Sequence, residues 1–223
     1  MVENFLQVLE GSKTREFSRE ELYTLKESSL KVHIDIGTGD GRNVYKAARN
    51  DPDTLYIGID PVRENMTEIA VKSRKKPAKG GLNNLILTIA SVEHMPEELF
   101  GIADSVSVYF PWGTLLETVI KPIEENLLHI SEIAAPDAAF TFITTYSDSY
   151  EEGEITRRDL PPISMEYFQS QEYVRMMKSA GFIITEIEEY DNEFVKQFNS
   201  MWAKRLAFGR KRSFYRIAGM IKK

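Results

Sequence analysis

The stretch from His33 to Asn43 reads "HIDIGTGDGRN". Together with Lys31 and Val32 it makes an alternating strand, "KVHIDI", that runs directly into glycines at positions 37, 39 and 41. A helix, "RNVYKAARN" (Arg42 to Asn50), follows at once. A strand that hands over to a helix through a glycine-rich turn is the opening unit of a doubly covered α/β sheet. Glycines at such a turn permit positive φ and let backbone amides approach a ligand with no Cβ in the way. The helix that follows points its positive end at the same spot. The spacing is G-x-G-x-G, one residue shorter than the G-x-G-x-x-G of dinucleotide-binding turns, and Asp35 precedes it. That turn is poorly shaped for a pyrophosphate. It suits S-adenosylmethionine, which has no phosphate and carries an amino-acid end.

Reading outward, a second strand "TLYIGI" ends at Asp60, where a carboxylate can accept from two ribose hydroxyls. After a third strand, "NLILTIAS", Val92 and Glu93 are placed to lie against and beside an adenine. "SVSVYF", "AAFTFITTY", "FIITEIEEY" and "SFYRIAGMI" read as further strands. Pro61 suits a helix start, with Ile69 and Val71 of "VRENMTEIAVKSRKK" directed at the sheet. Helices are expected from about Leu115 to Ala135 and from Gln169 to Ser179, the latter stopped by Gly181. Near the N-terminus, "QVLEGSKTREF" reads as a hairpin around Gly11, and "SREE" from Ser18 as a capping box opening a helix to about Ser28. Alternation at this pitch predicts a mostly parallel sheet covered on both faces, and the short excursion between the last two strands predicts an antiparallel edge. One domain, 1–223, is expected.

Composition narrows the class. At 223 residues, 42% hydrophobic and 28% charged, the chain has the make-up of a globular enzyme with a real core. It has no cysteine, which excludes disulfides, a Cys-based zinc site and a thiol nucleophile and fits a reducing cytosol. No leader pattern and no apolar run of spanning length is seen, so a cytoplasmic protein with no membrane association is expected. The net charge of −6 conceals an asymmetry: Asn199 to Lys223 holds eight basic residues and no acid, which leaves −14 for the rest. A second basic run, "KSRKKPAK", spans Lys72 to Lys79. An acidic body with two basic patches reads as a protein that meets a polyanion at chosen places, although solvated surface charge accounts for either patch alone.

The remaining signal is "YFPWG", Tyr109 to Gly113, at the carboxyl end of the fourth main strand. Ligands of such sheets bind beyond those ends. The two tryptophans of the chain are Trp112, flanked by Pro and Gly, and Trp202, followed by Lys204 and Arg205. Core tryptophans would have apolar neighbours, so both are read as flat platforms beside the site.

These stretches strongly resemble the aminoglycoside-resistance methyltransferases that modify N1 of adenine 1408 in 16S ribosomal RNA. "HIDIGTGDGRN", "YIGIDPVREN", "KKPAKGGL", "FPWGTLLE", "TTYSDSYEE" and "KQFNSMWAKRLAFGRKRSF" carry the resemblance across nearly the whole chain. It implies a class I methyltransferase fold, a seven-stranded sheet with an antiparallel edge hairpin, preceded here by the hairpin of residues 1–17. It implies substrate-facing insertions at 146–168 and 192–212. By resemblance Asp35, Gly37, Asp60, Val92, Glu93, Thr114 and Ser200 line the S-adenosyl-L-methionine pocket, with Thr38 and Gly39 in the same turn. Trp112 and Trp202 would hold the flipped adenine, with Phe110 and Pro111 shaping the floor. Lys72, Lys75, Lys76, Glu151, Arg158, Arg205, Arg210 and Arg212 match positions that meet ribosomal RNA, whereas position 71 is Val and offers no cationic contact. The implied partner is the decoding region of the 30S ribosomal subunit, met by a monomer that needs no metal.

That reaction asks little acid–base chemistry. Ring N1 of adenine carries a lone pair and no proton, so in-line placement suffices and no general base is required. Accordingly His33, His94 and His129 are read as structural or surface residues. Extruding a base from an RNA helix costs a few kcal/mol, and stacking on an aromatic face returns about 1–3 kcal/mol. Two alternatives stand beside this reading. A transfer-RNA guanine-N7 methyltransferase shares the cofactor half but carries Asp before Pro-Trp, where this chain has Phe110. A non-catalytic ribosome-binding protein of the same fold would have no need of Asp35, Asp60 and the glycine turn.

Overall fold

Strand and helix alternate through most of the computed structural model, which describes residues 6–146 and 152–223. The elements are β1 (Leu6–Glu10), β2 (Lys13–Phe17), α1 (Arg19–Glu27), β3 (Lys31–Ile36), α2 (Arg42–Asn50), β4 (Thr54–Ile59) and α3 (Arg63–Ser73). Next come β5 (Leu85–Thr88), β6 (Ala103–Tyr109), α4 (Gly113–Ile120), α5 (Glu124–Ile133), β7 (Ala134–Thr144) and α6 (Glu152–Arg158). The chain closes with α7 (Met165–Gln169), α8 (Gln171–Ser179), β8 (Phe182–Tyr190), α9 (Asn192–Val195), α10 (Met201–Ala207) and β9 (Phe214–Ile221).

The described strands form one sheet in the order β2-β1-β5-β4-β3-β6-β7-β9-β8. Its centre, β5 to β7, is parallel, while β9 runs antiparallel between β7 and β8. The winding reverses at β3, whose two neighbours are β4 on one side and β6 on the other. The crevice above that reversal is where an open α/β sheet binds its ligand.

The expected α/β class is observed, with nine strands in place of a separate seven plus hairpin. The N-terminal hairpin joins the edge at β5. Val8 pairs with Thr88, and the Gln7 carbonyl accepts from both Ile89 N at 2.9 Å and Thr88 Oγ1 at 2.7 Å. Leu6 and Val8 are fully buried, so the hairpin extends the core as well as covering an open edge.

Burial on each face follows the pattern of the strands. Ile34, Ile57, Val106, Val108, Phe140 and Phe142 pack with α4, α5 and α8 on one side. On the other, Val44, Ala48, Met66, Ile69 and Ala70 of α2 and α3 pack on Leu85 and Leu87. The predicted capping box is present: Ser18 Oγ accepts from Glu21 N, and the Glu21 carboxylate accepts from Ser18 N.

Three local expectations are corrected. Val71 faces solvent, 41% exposed, because α3 turns its Met66–Ile69–Ala70–Ser73 stripe to the sheet and Val71 falls between those positions. Pro61 lies outside α3, whose cap is Val62, since Asp60 Oδ1 accepts from Val62 N and draws the chain into a turn first. The single helix expected over Leu115 to Ala135 is two, α4 and α5, broken at Lys121–Ile123, where Pro122 removes a helical donor.

At the antiparallel edge Gly219 lies under Ile183 and Phe140. A Cβ there would sit 2.0 Å from the Ile183 carbonyl oxygen and 2.9 Å from the Phe140 ring. Gly219→Ala is therefore expected to lower unfolding free energy by at least about 1–3 kcal/mol in urea titrations. Wild-type stability in that variant would mean the β8–β9 spacing is looser than described.

Candidate active site

The glycine turn takes its shape from three left-handed residues: φ is +73° at Gly37, +59° at Gly39 and +69° at Gly41. Amides of Gly37 and Thr38 donate to the Ile59 carbonyl at 2.8 and 2.9 Å, which fastens the turn to the end of β4. Asp60 completes the link, with Oδ2 accepting from Gly39 N at 2.9 Å. Burial pushes the Asp60 carboxyl above its ordinary range, against the pull of the amides of Val62 and Gly39.

Asp35 ends β3 almost wholly buried, facing Ser107 in the neighbouring strand. Ser107 Oγ donates to Asp35 Oδ1 at 2.6 Å. Burial pushes the Asp35 carboxyl up to about 6, opposed chiefly by the hydrogen bond from the Ser107 hydroxyl and reinforced by the nearby charge of Asp60. Ser107 also lies 3.0 Å from His33 Nε2, and His33 Nδ1 lies 2.8 Å from Ser105 Oγ. Since the one Ser107 proton goes to Asp35, its oxygen accepts from His33. The ring proton therefore sits on Nε2, and Nδ1 accepts from Ser105. Desolvation lowers the His33 value to about 4, so the ring is neutral. Neither Ser107 nor the serving role of His33 was legible from spacing, because their contacts to one another span 74 residues of chain.

The third strand end supplies Val92, buried, and Glu93, partly exposed. Burial acts to raise the Glu93 carboxyl, but hydrogen bonds from its own amide and from the hydroxyls of Ser91 and Thr114 outweigh it and hold the group below its usual range. Glu93 and Thr114, far apart in sequence, are thus direct neighbours. His129 Nδ1 lies 2.9 Å from the Val92 carbonyl oxygen, a structural contact.

At the end of β6 the chain is forced. Phe110 has φ +53°, a left-handed conformation unusual for an aromatic and doubly so before proline, and Gly113 has φ +62°. Residues held this way cost about 1–3 kcal/mol and persist where their surroundings over-determine them. Here the surroundings are rings: Phe110 meets Phe198 at 5.1 Å and Phe214 at 5.9 Å, both edge to face. Phe198 also meets Tyr109 and Phe194, and Phe194 stacks on Tyr190 at 3.9 Å. Phe194 and Phe198 had no role in the sequence reading. Pro111 is buried below Trp112, which caps α4.

Trp112 and Trp202 come together, ring centroids 6.1 Å apart at 73°, and remain 50% and 40% exposed. Neither is core. At that distance edge-to-face rings are in direct contact, so a base enters between them only if one ring turns. Ser200 Oγ accepts from Ala203 N at 3.0 Å and caps α10, the helix that carries Trp202.

Of the cationic residues, Lys75, Lys76, Arg205 and Arg210 are exposed, and Lys72 lies 4.4 Å above the Tyr45 ring. Arg212 N donates to Asn192 Oδ1 at 3.1 Å. Arg158 Nη1 pairs with Glu117 Oε2 at 2.9 Å, which sets it beside the Trp112–Gly113 turn. Glu151 lies outside the described residues. The basic tail is less free than its count suggests, since Arg216 pairs with Glu186 and Glu188, and Lys222 with Asp137. No helix among the described residues is long and apolar enough to cross a membrane.

A buried carboxylate whose described partners are hydroxyls, a second acid fixed on a glycine amide and an open glycine turn fit a cofactor with a cationic amino-acid end and a ribose. The fold and this site define a class I S-adenosylmethionine-dependent methyltransferase. The chain belongs to the NpmA family of 16S rRNA (adenine(1408)-N(1))-methyltransferases, whose model matches residues 7–221. It is 55% identical over 216 residues to the enzyme of that name from Escherichia coli, covering 97% of this chain and 99% of that one. A solved antibiotic-related methyltransferase superposes with a TM-score of 0.88 at 51% identity, over 96% of this chain and 100% of the other. The W203A mutant of the Catenulisporales acidiphilia enzyme, solved with cosubstrate SAM, gives a TM-score of 0.89 at 30% identity, over 98% of this chain and 97% of that one.

Asp35 and His33 leave opposite marks on stability. The folded value of Asp35 lies above its ordinary one, so its contribution is full below about pH 4 and is lost as pH rises through about 6. His33 is displaced downward, so its contribution grows over the same interval. Asp35→Asn removes only the first. The melting temperature of the variant minus that of wild type is expected to increase steadily from pH 4 to pH 7. A flat difference would show that Asp35 ionises at its ordinary value.

Proposed function

We infer from the family and the site together that the activity is methyl transfer from S-adenosylmethionine to N1 of adenine 1408 in 16S rRNA. We propose that the adenine is extruded from its helix and held between Trp112 and Trp202, in front of a cofactor seated on Asp35, Gly37, Thr38, Gly39, Asp60, Val92, Glu93, Thr114 and Ser200. The observation that carries this is the exposed contact between the two indoles, one of them just beyond the carboxyl end of β6, where the winding of the sheet reverses.

Each residue has a physical task. Asp35 answers the positive charge of the amino-acid end, and Asp60 accepts from the ribose hydroxyls while keeping Gly39 in register. Val92 presents an apolar face to the adenine ring of the cofactor, with Glu93 beside it. Bound there, the cofactor supplies an electrophilic methyl group, whose bond to sulfur breaks as the N1 lone pair forms the new one. The protein abstracts no proton from N1, consistent with a neutral His33 whose two ring nitrogens are engaged by Ser105 and Ser107. Trp112 and Trp202 exclude water from the reacting nitrogen, and their π faces favour the cationic product until its amino group releases a proton to solvent. Phe110 and Pro111 hold the Trp112 backbone in place.

Docking belongs to the cations. Lys72, Lys75 and Lys76 on one side, and Arg205, Arg210 and Arg212 on the other, are assigned to rRNA phosphates, and Arg158 and Glu151 are also assigned to rRNA contacts. The partner is the decoding region of the 30S subunit, approached by a monomer in the cytoplasm. Supporting this, α2 forms a common wall between the patches: Tyr45 packs under Lys72, and Lys46 Nζ donates to the Gln197 carbonyl at 3.3 Å.

Trp112→Ala and Trp202→Ala each remove one stacking face of about 1–3 kcal/mol and loosen the alignment of N1. Each is expected to fold, bind cofactor and 30S subunit normally, and methylate at least about tenfold more slowly by primer extension. Trp→Phe should be milder. Fully active alanine variants would remove the clamp.

Charge reversal at Lys75 and Lys76 should weaken 30S binding and flatten its dependence on salt, with cofactor affinity unmoved in calorimetry. An unchanged salt slope would take this patch out of the interface.

A further inference from the structure

Asp40 sits between Gly39 and Gly41 in the cofactor turn, yet its carboxylate reaches across to the segment that carries Trp202. Oδ1 accepts from Arg42 N at 3.1 Å, at the start of its own helix. Oδ2 accepts from Met201 N at 2.8 Å, the first amide of α10, with Arg42 Nε 3.6 Å away. The side chain is 15% exposed, so water competes little for these contacts. Two further bonds run the same way. Asn43 Oδ1 accepts from Asn199 N at 3.3 Å, and Lys46 Nζ donates to Gln197 O at 3.3 Å. The linker before α10 is thus attached, residue after residue, to the turn and first face of α2. Of these contacts only Asp40 acts on the helix itself.

We propose that Asp40 is a positioning residue for methyl transfer: it fixes the N-terminus of α10, and with it the Trp202 ring, relative to the cofactor turn. The connection is short. Asp60 holds Gly39 N, Asp40 follows Gly39, and Asp40 holds Met201 N immediately before Trp202. A helix of seven residues gains little from its own hydrogen bonds, so an external carboxylate at its first turn weighs heavily on its orientation. If the two indoles form the proposed clamp, their edge-to-face contact requires Trp202 to be held while still able to yield to a base. This inference rests on the reading of Trp202 as one face of the clamp.

The test uses the full-length protein with Asp40→Ala, Asp40→Asn and, as the control on the clamp itself, Trp202→Ala. Asp40→Ala should keep cofactor and 30S affinities within about twofold and lower the single-turnover methylation rate at least about tenfold, the scale on which small misplacements act. Asp40→Asn retains one acceptor oxygen and should fall between Ala and wild type. In a Trp112→Phe background, where Trp202 is the one indole, Asp40→Ala should raise acrylamide quenching of its fluorescence. A folded Asp40→Ala protein with wild-type rate and quenching would overturn the proposal, as would a loss confined to cofactor affinity. Full activity of Trp202→Ala would instead overturn the clamp on which the proposal rests.

Discussion

Where the sheet reverses its winding, β3 and β6 lie side by side, and Ser107 donates across their ladder to Asp35 at 2.6 Å. Much of the site depends on that bond. It fixes a carboxylate in a place where burial alone would keep it protonated, and it draws its proton geometry from His33 and Ser105 further down the same two strands. A hydroxyl donor is a measured choice. A cationic partner would neutralise Asp35 permanently and leave nothing for a positively charged ligand, whereas an apolar neighbour would leave the acid neutral at working pH.

What the sequence revealed and what it concealed divide by distance along the chain. "KVHIDI", "RNVYKAARN" and "FIITEIEEY" contain their own periodicity and stops, and each matches its element residue for residue. The capping box at Ser18 is equally local. Errors arose where a local side-chain bond pre-empted the helix start, as where Asp60 bent the chain past Pro61, or where two apolar residues two positions apart could not share a helix face, as with Ile69 and Val71. The N-terminal hairpin was visible, but its attachment to β5 rests on Gln7 and Thr88, which carry no signal of pairing. The acids and glycines of the site were legible because strand-end chemistry leaves few other reasons for them. Ser107, Asp40 and Phe198 were not, since a serine in a strand, an Asp beside Gly and a Phe in a loop each have many ordinary explanations.

Rigidity and compliance are distributed unequally around the base-binding face. Phe110, locked in a left-handed conformation by Phe198 and Phe214, makes the Trp112 side stiff. The opposite wall is a seven-residue helix reached through a linker and held by side chains of the cofactor turn. On the proposed reading of the two indoles, a stiff wall opposite an adjustable one would let a flat base enter without disturbing the surface against which its nitrogen is aimed. The same arrangement explains why the basic residues near Trp202 lie on short, solvated elements while the cofactor acids lie at the ends of central strands.

The position of β9 has a consequence for how the protein comes into being. Residues Phe214–Ile221 follow β8 in the chain, yet they lie in the interior of the sheet, between β7 and β8. The strands β3 to β7 can assemble with one another, but β8 gains its strand partner only when β9 has docked on β7. Phe214 is also one of the two rings that hold Phe110, so the wall behind Trp112 closes at that same late moment. Completion of the antiparallel edge and closure of the wall behind Trp112 are therefore one folding event.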